Sequence, residues 1–183
     1  MIREDAPAGS YRMAEWERAR VPDGYRDVTA GMTRMFRRLI PGNLRGVSFK
    51  VLPKRLLPAP GVCVTETRNI YIAHDLVQGI TAEDFSEPEA LLTKRARTLG
   101  VAVHEVMHAR YSPLNWADWI KGMRAKYADP RVVTTAVAME EVRIESKGVK
   151  GGSLTPAERL ALAETTDELI ARELLEEWKG TGQ

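Results

Sequence analysis

The residues most able to do chemistry are His104-Glu105-Val106-Met107-His108. The chain has three histidines, and two of them stand here. Residues four apart on a helix share a face, so both imidazoles can grip one metal ion. Glu105 is displaced by about 100° from His104, and from there a carboxylate reaches a water on the metal rather than the metal itself. Zinc lowers the pKa of such a water toward ~7, and the glutamate takes its proton. The spacing therefore suits hydrolysis by a metal-activated water.

A catalytic zinc also needs a third protein ligand and an open fourth position. The run Ala136-Val137-Ala138-Met139-Glu140-Glu141-Val142-Arg143-Ile144-Glu145 sets three glutamates in an otherwise apolar helix, which predicts their partial burial. Glu141 and Glu145 share a face, so one can bind metal while the other accepts the outer N–H of a ligating histidine. Glu140 points about 100° away and is the alternative third ligand. Glu141 is preferred, because only Glu141 has an acid four residues on. Arg143 is then free to neutralise the glutamate left over. His74 and Asp75 are next in line as ligands should neither glutamate serve.

Other residues weigh less. His74 reads as a surface histidine at a strand end. Tyr111 and Tyr127 are candidate oxyanion donors. Trp116 and Trp119, three apart on a helix, read as core packing rather than a substrate platform. Gly100 lies one turn before His104, where a close approach by a strand or substrate would explain a helical glycine; an incidental small residue is the other reading. Cys63, in an apolar run, reads as a small buried hydrophobe.

The elements that must position these residues follow from periodicity and caps. Residues 28–39 carry Met32, Met35, Phe36 and Leu39 at helical spacing. Val47 to Leu52, Val62 to Val64 and Asn69 to Ala73 read as strands, the last two joined by a turn at Thr65 to Arg68. Ser86 as N-cap, Glu89 closing a capping box and Pro88 in the first turn start the motif helix. Ser112-Pro113 ends it near Arg110. Asn115 with Asp118 opens a helix to about Tyr127, and Asp129-Pro130 opens another to about Lys147-Gly148. After Gly151-Gly152-Ser153, the box Thr155 to Glu158 starts a last helix that runs to about Trp178. A short helix capped by Ser10 is expected to reach Arg20. The expected fold class is α+β, a small mixed sheet in the first half packed on a mainly helical second half. The division expected is an arm with a short helix over 1–27, a main domain over 28–150 and a C-terminal helix over 151–183.

The chain has 183 residues, 44% hydrophobic and 28% charged, enough for one domain with its own core. A formal charge of +2 and the lack of a long basic block argue against a nucleic-acid partner. A single cysteine excludes an intrachain disulfide. Neither a signal-peptide core nor ~18 consecutive apolar residues is present, so no membrane association and a cytoplasmic setting are expected.

This pattern resembles the zincin metallopeptidases with a glutamate as third ligand. The likeness is carried by His104-Glu105-Val106-Met107-His108, its helix and the downstream glutamate helix. More narrowly, His104 to Ser112 (HEVMHARYS) with Met139 to Glu145 (MEEVRIE) is similar to metallopeptidase domains of bacteria and phages that are often joined to a von Willebrand A-type domain, for which this chain has no room. The resemblance implies a zincin-like fold, a Zn²⁺ cofactor and hydrolysis of a protein or peptide substrate. It implies His104, His108 and Glu141 (or Glu140) as ligands, Glu105 as general base and Glu145 behind a ligand. A strand before the motif helix, here Asn69 to Ala73, would be the edge strand that binds peptide. A phage-encoded chain would work in the virion or the host cytoplasm. The competing expectation is a zincin-fold binding or assembly protein in a larger phage or defence complex, its metal structural or vestigial.

Overall fold

The computed structural model describes residues 14–42, 44 and 46–167. The expected Ser10 cap and the end of the last helix near Trp178 lie outside them. Of the first expected helix, the described part is a 3-10 turn, Glu15–Arg18, followed by a second at Asp23–Tyr25. Helix α1, Arg26–Phe36, buries Val28, Met32, Met35 and Phe36, a stripe at helical spacing. A 3-10 turn, Arg37–Leu39, extends it and buries Leu39.

Three strands follow: β1, Ser48–Leu52; β2, Gly61–Val64; and β3, Asn69–Ala73. Their order is β1-β3-β2, with β1 parallel and β2 antiparallel to β3. The turn between β2 and β3 closes with Thr67 N–H donating to Val64 C=O, as the spacing predicts. Asn69–Ala73, expected at the edge, is the central strand, and β1 and β2 are the two edges. The reason is visible in burial: Ile70, Tyr71, Ile72 and Ala73 are all buried, as a strand covered on both faces and paired on both sides requires. Phe49, Val51, Ile70 and Ile72 join the main core, whereas Leu52, Val64 and Tyr71 form a smaller cluster under Trp16, Ala19 and Leu57. Trp16 meets Tyr71 edge-on at 4.9 Å between ring centroids.

Helix α2, Pro88–Tyr111, carries the motif. Its N-cap is Glu87, and no side chain caps it. The capping box read from Ser86 and Glu89 does not form, because Ser86 already closes the preceding 3-10 turn by donating its N–H to Glu83 C=O. Arg95 leaves helical geometry (φ −157°, ψ 73°), so the motif turns belong to the segment beyond that break. From Thr98 to Met107 every residue is buried. Helix α3, Trp116–Lys126, anchors itself by Ile120. Trp116 and Trp119 stack on one another (4.9 Å, 12°), with Trp119 left 37% exposed, rather than entering the core as expected.

Helix α4, Pro130–Lys150, starts as its sequence predicts, with the Asp129 carboxylate accepting from Arg131 N–H at 2.9 Å. Gly148 lets it cross α2, since a Cβ there would lie 2.3 Å from Met107 Sδ. The described part of α5 covers 156–167. Its capping box forms in full: Thr155 N–H donates to Glu158 (2.8 Å) and Glu158 N–H to the Thr155 hydroxyl (3.2 Å). Ala157, Ala161 and Leu162 of α5 lie in the same core as α1, α2 and the sheet. The architecture is α+β, with more helix than strand among the described residues. No described helix is long and apolar enough to cross a membrane.

Candidate metal centre

Helical spacing puts His104 and His108 on one face of α2, with ring centroids 4.8 Å apart and planes at 81°. Helix α4 brings Glu141 across to them. Glu141 Oε2 lies 3.2 Å from His104 Nε2 and 3.1 Å from His108 Nε2. The three ligand atoms are all within 4.8 Å of one another. Donors held at ~2.0–2.1 Å from a tetrahedral zinc sit about 3.3 Å apart, so both measured separations suit a shared ion.

The outer nitrogens set the same tautomer on both rings. His104 Nδ1 lies 3.0 Å from Glu145 Oε1, which also accepts from the Thr166 hydroxyl at 2.6 Å. A carboxylate there requires Nδ1 to carry the proton. His108 Nδ1 lies 3.0 Å from Ser112 Oγ, whose own proton goes to Glu140 Oε1 at 3.1 Å. That leaves Ser112 Oγ as acceptor, so Nδ1 is again the donor. That leaves both Nε2 atoms beside Glu141 as the ones a cation could use, His104 Nε2 once it gives up its proton. Glu141 Oε2 is itself buried and has no hydrogen-bond partner, its histidine contacts being charge approaches without hydrogen-bond geometry. Two imidazole nitrogens and one orphaned carboxylate oxygen gathered within 4.8 Å are a donor set that fits a cation.

The electrostatics agree. Burial alone would lower the His104 pKa, but the Glu141 and Glu145 carboxylates overcome it and raise it to about 10. Burial would raise Glu141, and the two imidazoles instead bring it down to about 2. Without metal, a proton on His104 balances these carboxylates. A metal would take that proton's place.

Glu105 occupies the other side of the helix turn, buried against the edge strand. A Cβ on Gly61 would lie 2.8 Å from Glu105 Oε1 and 2.6 Å from Val101 Cγ1, so only glycine allows β2 to pass this close. Burial raises the Glu105 pKa, while the two histidines and the Cys63 backbone hold it back. The ladder explains the Cys63 contribution. Ala73 N–H donates to Pro60 C=O at 2.8 Å, and Gly61 pairs with Ile72. This parity gives the backbone groups of Val62 and Val64 to β3 and turns those of Gly61 and Cys63 to the outer edge. The Cys63 thiol is also pushed up, by burial first and then by the charge of Glu105.

The remaining candidates go elsewhere. Glu140 is buried and bound to Arg143 (2.5 and 2.6 Å), which also donates to Tyr111 C=O at 2.7 Å. His74 Nδ1 accepts from Lys54 N–H at 3.1 Å, and Asp75 pairs with Lys54 at 3.1 Å. The Tyr111 ring lies among Arg110 and Lys147, and Tyr127 lies beside Lys126 on α3. Gly100 does face a close approach, but the visitor is α5: a Cβ would sit 2.3 Å from Ala161 O and 2.0 Å from Thr165 Oγ1. Sequence reading missed Ser112, Thr166 and Gly61. Ser112 had a signal, since it lies four residues after His108 on the same helix face. Thr166 and Gly61 had none, because each arrives from a distant element. The expected partial burial of the glutamates holds, with Glu140 buried and Glu141 and Glu145 half-buried, although Met139 and Val142 beside them are 68% and 59% exposed.

Comparison with known proteins adds no relative: no family model, curated protein or solved structure matches the chain.

Proposed function

We propose that this chain is a zinc-dependent metallopeptidase of zincin type. The observation that carries the reading is the convergence of His104 Nε2, His108 Nε2 and Glu141 Oε2, with both outer Nδ1 protons already engaged. Two imidazoles and one carboxylate are a donor set suited to zinc, and three protein ligands are the number typical of a catalytic site. When bound, zinc would supply a water of pKa near ~7 and polarise the scissile carbonyl.

The chain's own residues supply the rest. Glu105 is not among the converging ligands and is free to act as general base, taking the water's proton and passing it to the leaving amine. Its burial supports that role by raising its proton affinity above that of an exposed glutamate. The outer edge of β2 turns the Gly61 backbone and the Cys63 carbonyl outward beside Glu105, where an extended peptide could add as a strand. Glu145 and Ser112 hold the two rings in register.

The test is metal analysis joined to a peptide-cleavage assay. About one zinc per chain, lost in His104→Ala, together with cleavage of unstructured peptides that Glu105→Gln abolishes, is the expected result. A wild-type chain that holds no metal would refute the reading.

A second reading, a zincin-fold binding or assembly protein with a structural metal, is favoured by one feature. The outer face of α4 exposes Val132, Met139, Val142 and Val149, beside a cavity of about 440 Å³ between α3 and α4. Apolar residues so displayed suit a partner surface. Bound zinc without any cleavage, unchanged in Glu105→Gln, would select this reading.

A further inference from the structure

Helix α5 touches the metal centre twice. Its first contact is steric: Ala161 C=O and Thr165 press on Gly100, one turn before His104 in α2. Its second is polar: Thr166 Oγ1 lies 2.6 Å from Glu145 Oε1 and 2.9 Å from Leu162 C=O. A hydroxyl has one proton to give, and the carboxylate is the stronger acceptor. Glu145 Oε1 is the same atom that meets His104 Nδ1 at 3.0 Å. The path from α5 to the first ligand is therefore two hydrogen bonds long and shares a single oxygen.

We propose that α5 is a working part of the metal centre, with Thr166 a positioning residue that acts on His104 through Glu145, so that seating of α5 and binding of metal are linked. A carboxylate on a glutamate side chain can turn about its last torsions. Thr166 ties down the oxygen that must face His104. With it in place, the His104 ring keeps its tautomer and its aim at Glu141. Linkage is reciprocal: by whatever factor seated α5 raises metal affinity, bound metal strengthens the seating of α5. The anchoring of α5 elsewhere fits such a part. The fully buried Glu158 pairs with Arg38, and the Thr155–Glu158 box fixes the start of the helix. The connection before it passes through Gly152 at φ +66°, a turn that favours glycine.

The inference rests on the reading that His104 binds a metal, and its test separates the two. Zinc affinity of the full chain is measured by competition with a chromophoric chelator, and the visible spectrum of the Co²⁺-loaded chain is recorded. Thr166→Val keeps the shape and removes the hydroxyl; Thr166→Ser keeps the hydroxyl. Expected are a roughly 10-fold loss of affinity and a shifted Co²⁺ band in Thr166→Val, with near wild-type values in Thr166→Ser. Zinc should also slow amide hydrogen exchange over 156–167, although no residue there is a ligand. Equal weakening in both variants would mean packing rather than the hydroxyl matters, and would overturn the proposal. So would wild-type affinity and spectrum in Thr166→Val, or exchange in α5 indifferent to zinc. A wild-type chain that binds neither zinc nor cobalt would overturn the metal reading itself.

Discussion

His104 and His108 stand one turn apart on the same helix, yet they are braced from behind in different ways. His104 leans on the Glu145 carboxylate directly, and that carboxylate is steadied by a neutral hydroxyl from α5. His108 leans on Ser112 of its own chain segment, and only then on Glu140, whose charge Arg143 neutralises. Both arrangements fix the same tautomer. They differ in what they add: the first puts a net negative charge behind the ring, the second supplies orientation with little charge. A ligating imidazole with a carboxylate behind it is the more basic donor. The difference also divides the labour of folding, since one brace depends on α4 and α5 and the other on α2 and α4.

The comparison can be broken most forcefully at the point where the two sides meet. Glu141→Gln removes the carboxylate that both histidines approach, the proposed third ligand. Zinc affinity should fall by well over the ~10–100-fold that an outer partner is worth, as read by chelator competition. A chain that keeps its zinc would place the third ligand elsewhere.

Glu105, packed against β2, belongs to neither brace. Glu105→Gln keeps shape and removes the base. Zinc content should hold while peptide hydrolysis falls by ~10²–10⁴-fold. Loss of metal instead would make Glu105 a ligand.

The asymmetry itself is read from the two outer carboxylates. Glu145→Gln should weaken zinc by ~10–100-fold. Glu140→Gln should weaken it only several-fold, because Ser112 stands between Glu140 and the ring. Glu140→Ala carries a second cost, since it strips Arg143 of its partner; a loss of roughly 1–3 kcal/mol in urea unfolding is expected. Equal zinc losses at both positions would erase the distinction.

The last test is the pH dependence of the metal-free chain. The His104 pKa is raised from 6.5 to about 10, so its contribution to stability is complete below 6.5 and fades as pH rises through 10. Glu141 is lowered from 4.5 to about 2, so its contribution is complete above 4.5 and fades as pH falls through 2. Together they stabilise the metal-free chain most between 4.5 and 6.5. Melting temperatures in chelator should show this window, and His104→Ala should flatten it. Zinc must displace the His104 proton, so its affinity should rise with pH over the neutral range.

Much of the fold was legible because it is local. The caps at Asp129 and at Thr155 with Glu158, the stripe of α1 and the turn joining β2 to β3 each depend on residues a few positions apart. The box at Ser86 failed for the same kind of reason: a neighbouring turn claimed the residue first. The edge strand was misplaced because Val62 to Val64 and Ile70 to Ala73 are both unbroken apolar runs; what separates them is burial, complete from Ile70 to Ala73 and partial at Val62 and Cys63, which only the tertiary structure shows.

Sequence by itself determined which residues of one helix share a face. That sufficed to pair His104 with His108, to offset Glu105, and to pair Glu141 with Glu145, because 3.6 residues per turn leaves no choice. It did not determine which face of α4 meets α2. Glu140 and Glu141 were both open by spacing, and the partial burial expected of the glutamates is met at both, so it could not choose between them. The tertiary structure chose by seating Gly148 against Met107, which turns Glu141 toward the imidazoles and Glu140 toward Ser112 and Arg143. It likewise brought Thr166 to Glu145 and Gly61 to Glu105. Those contacts join segments more than twenty residues apart, and the physical cause is close packing: side-chain volumes at the crossings set how far each helix is rotated, and no local spacing records that rotation.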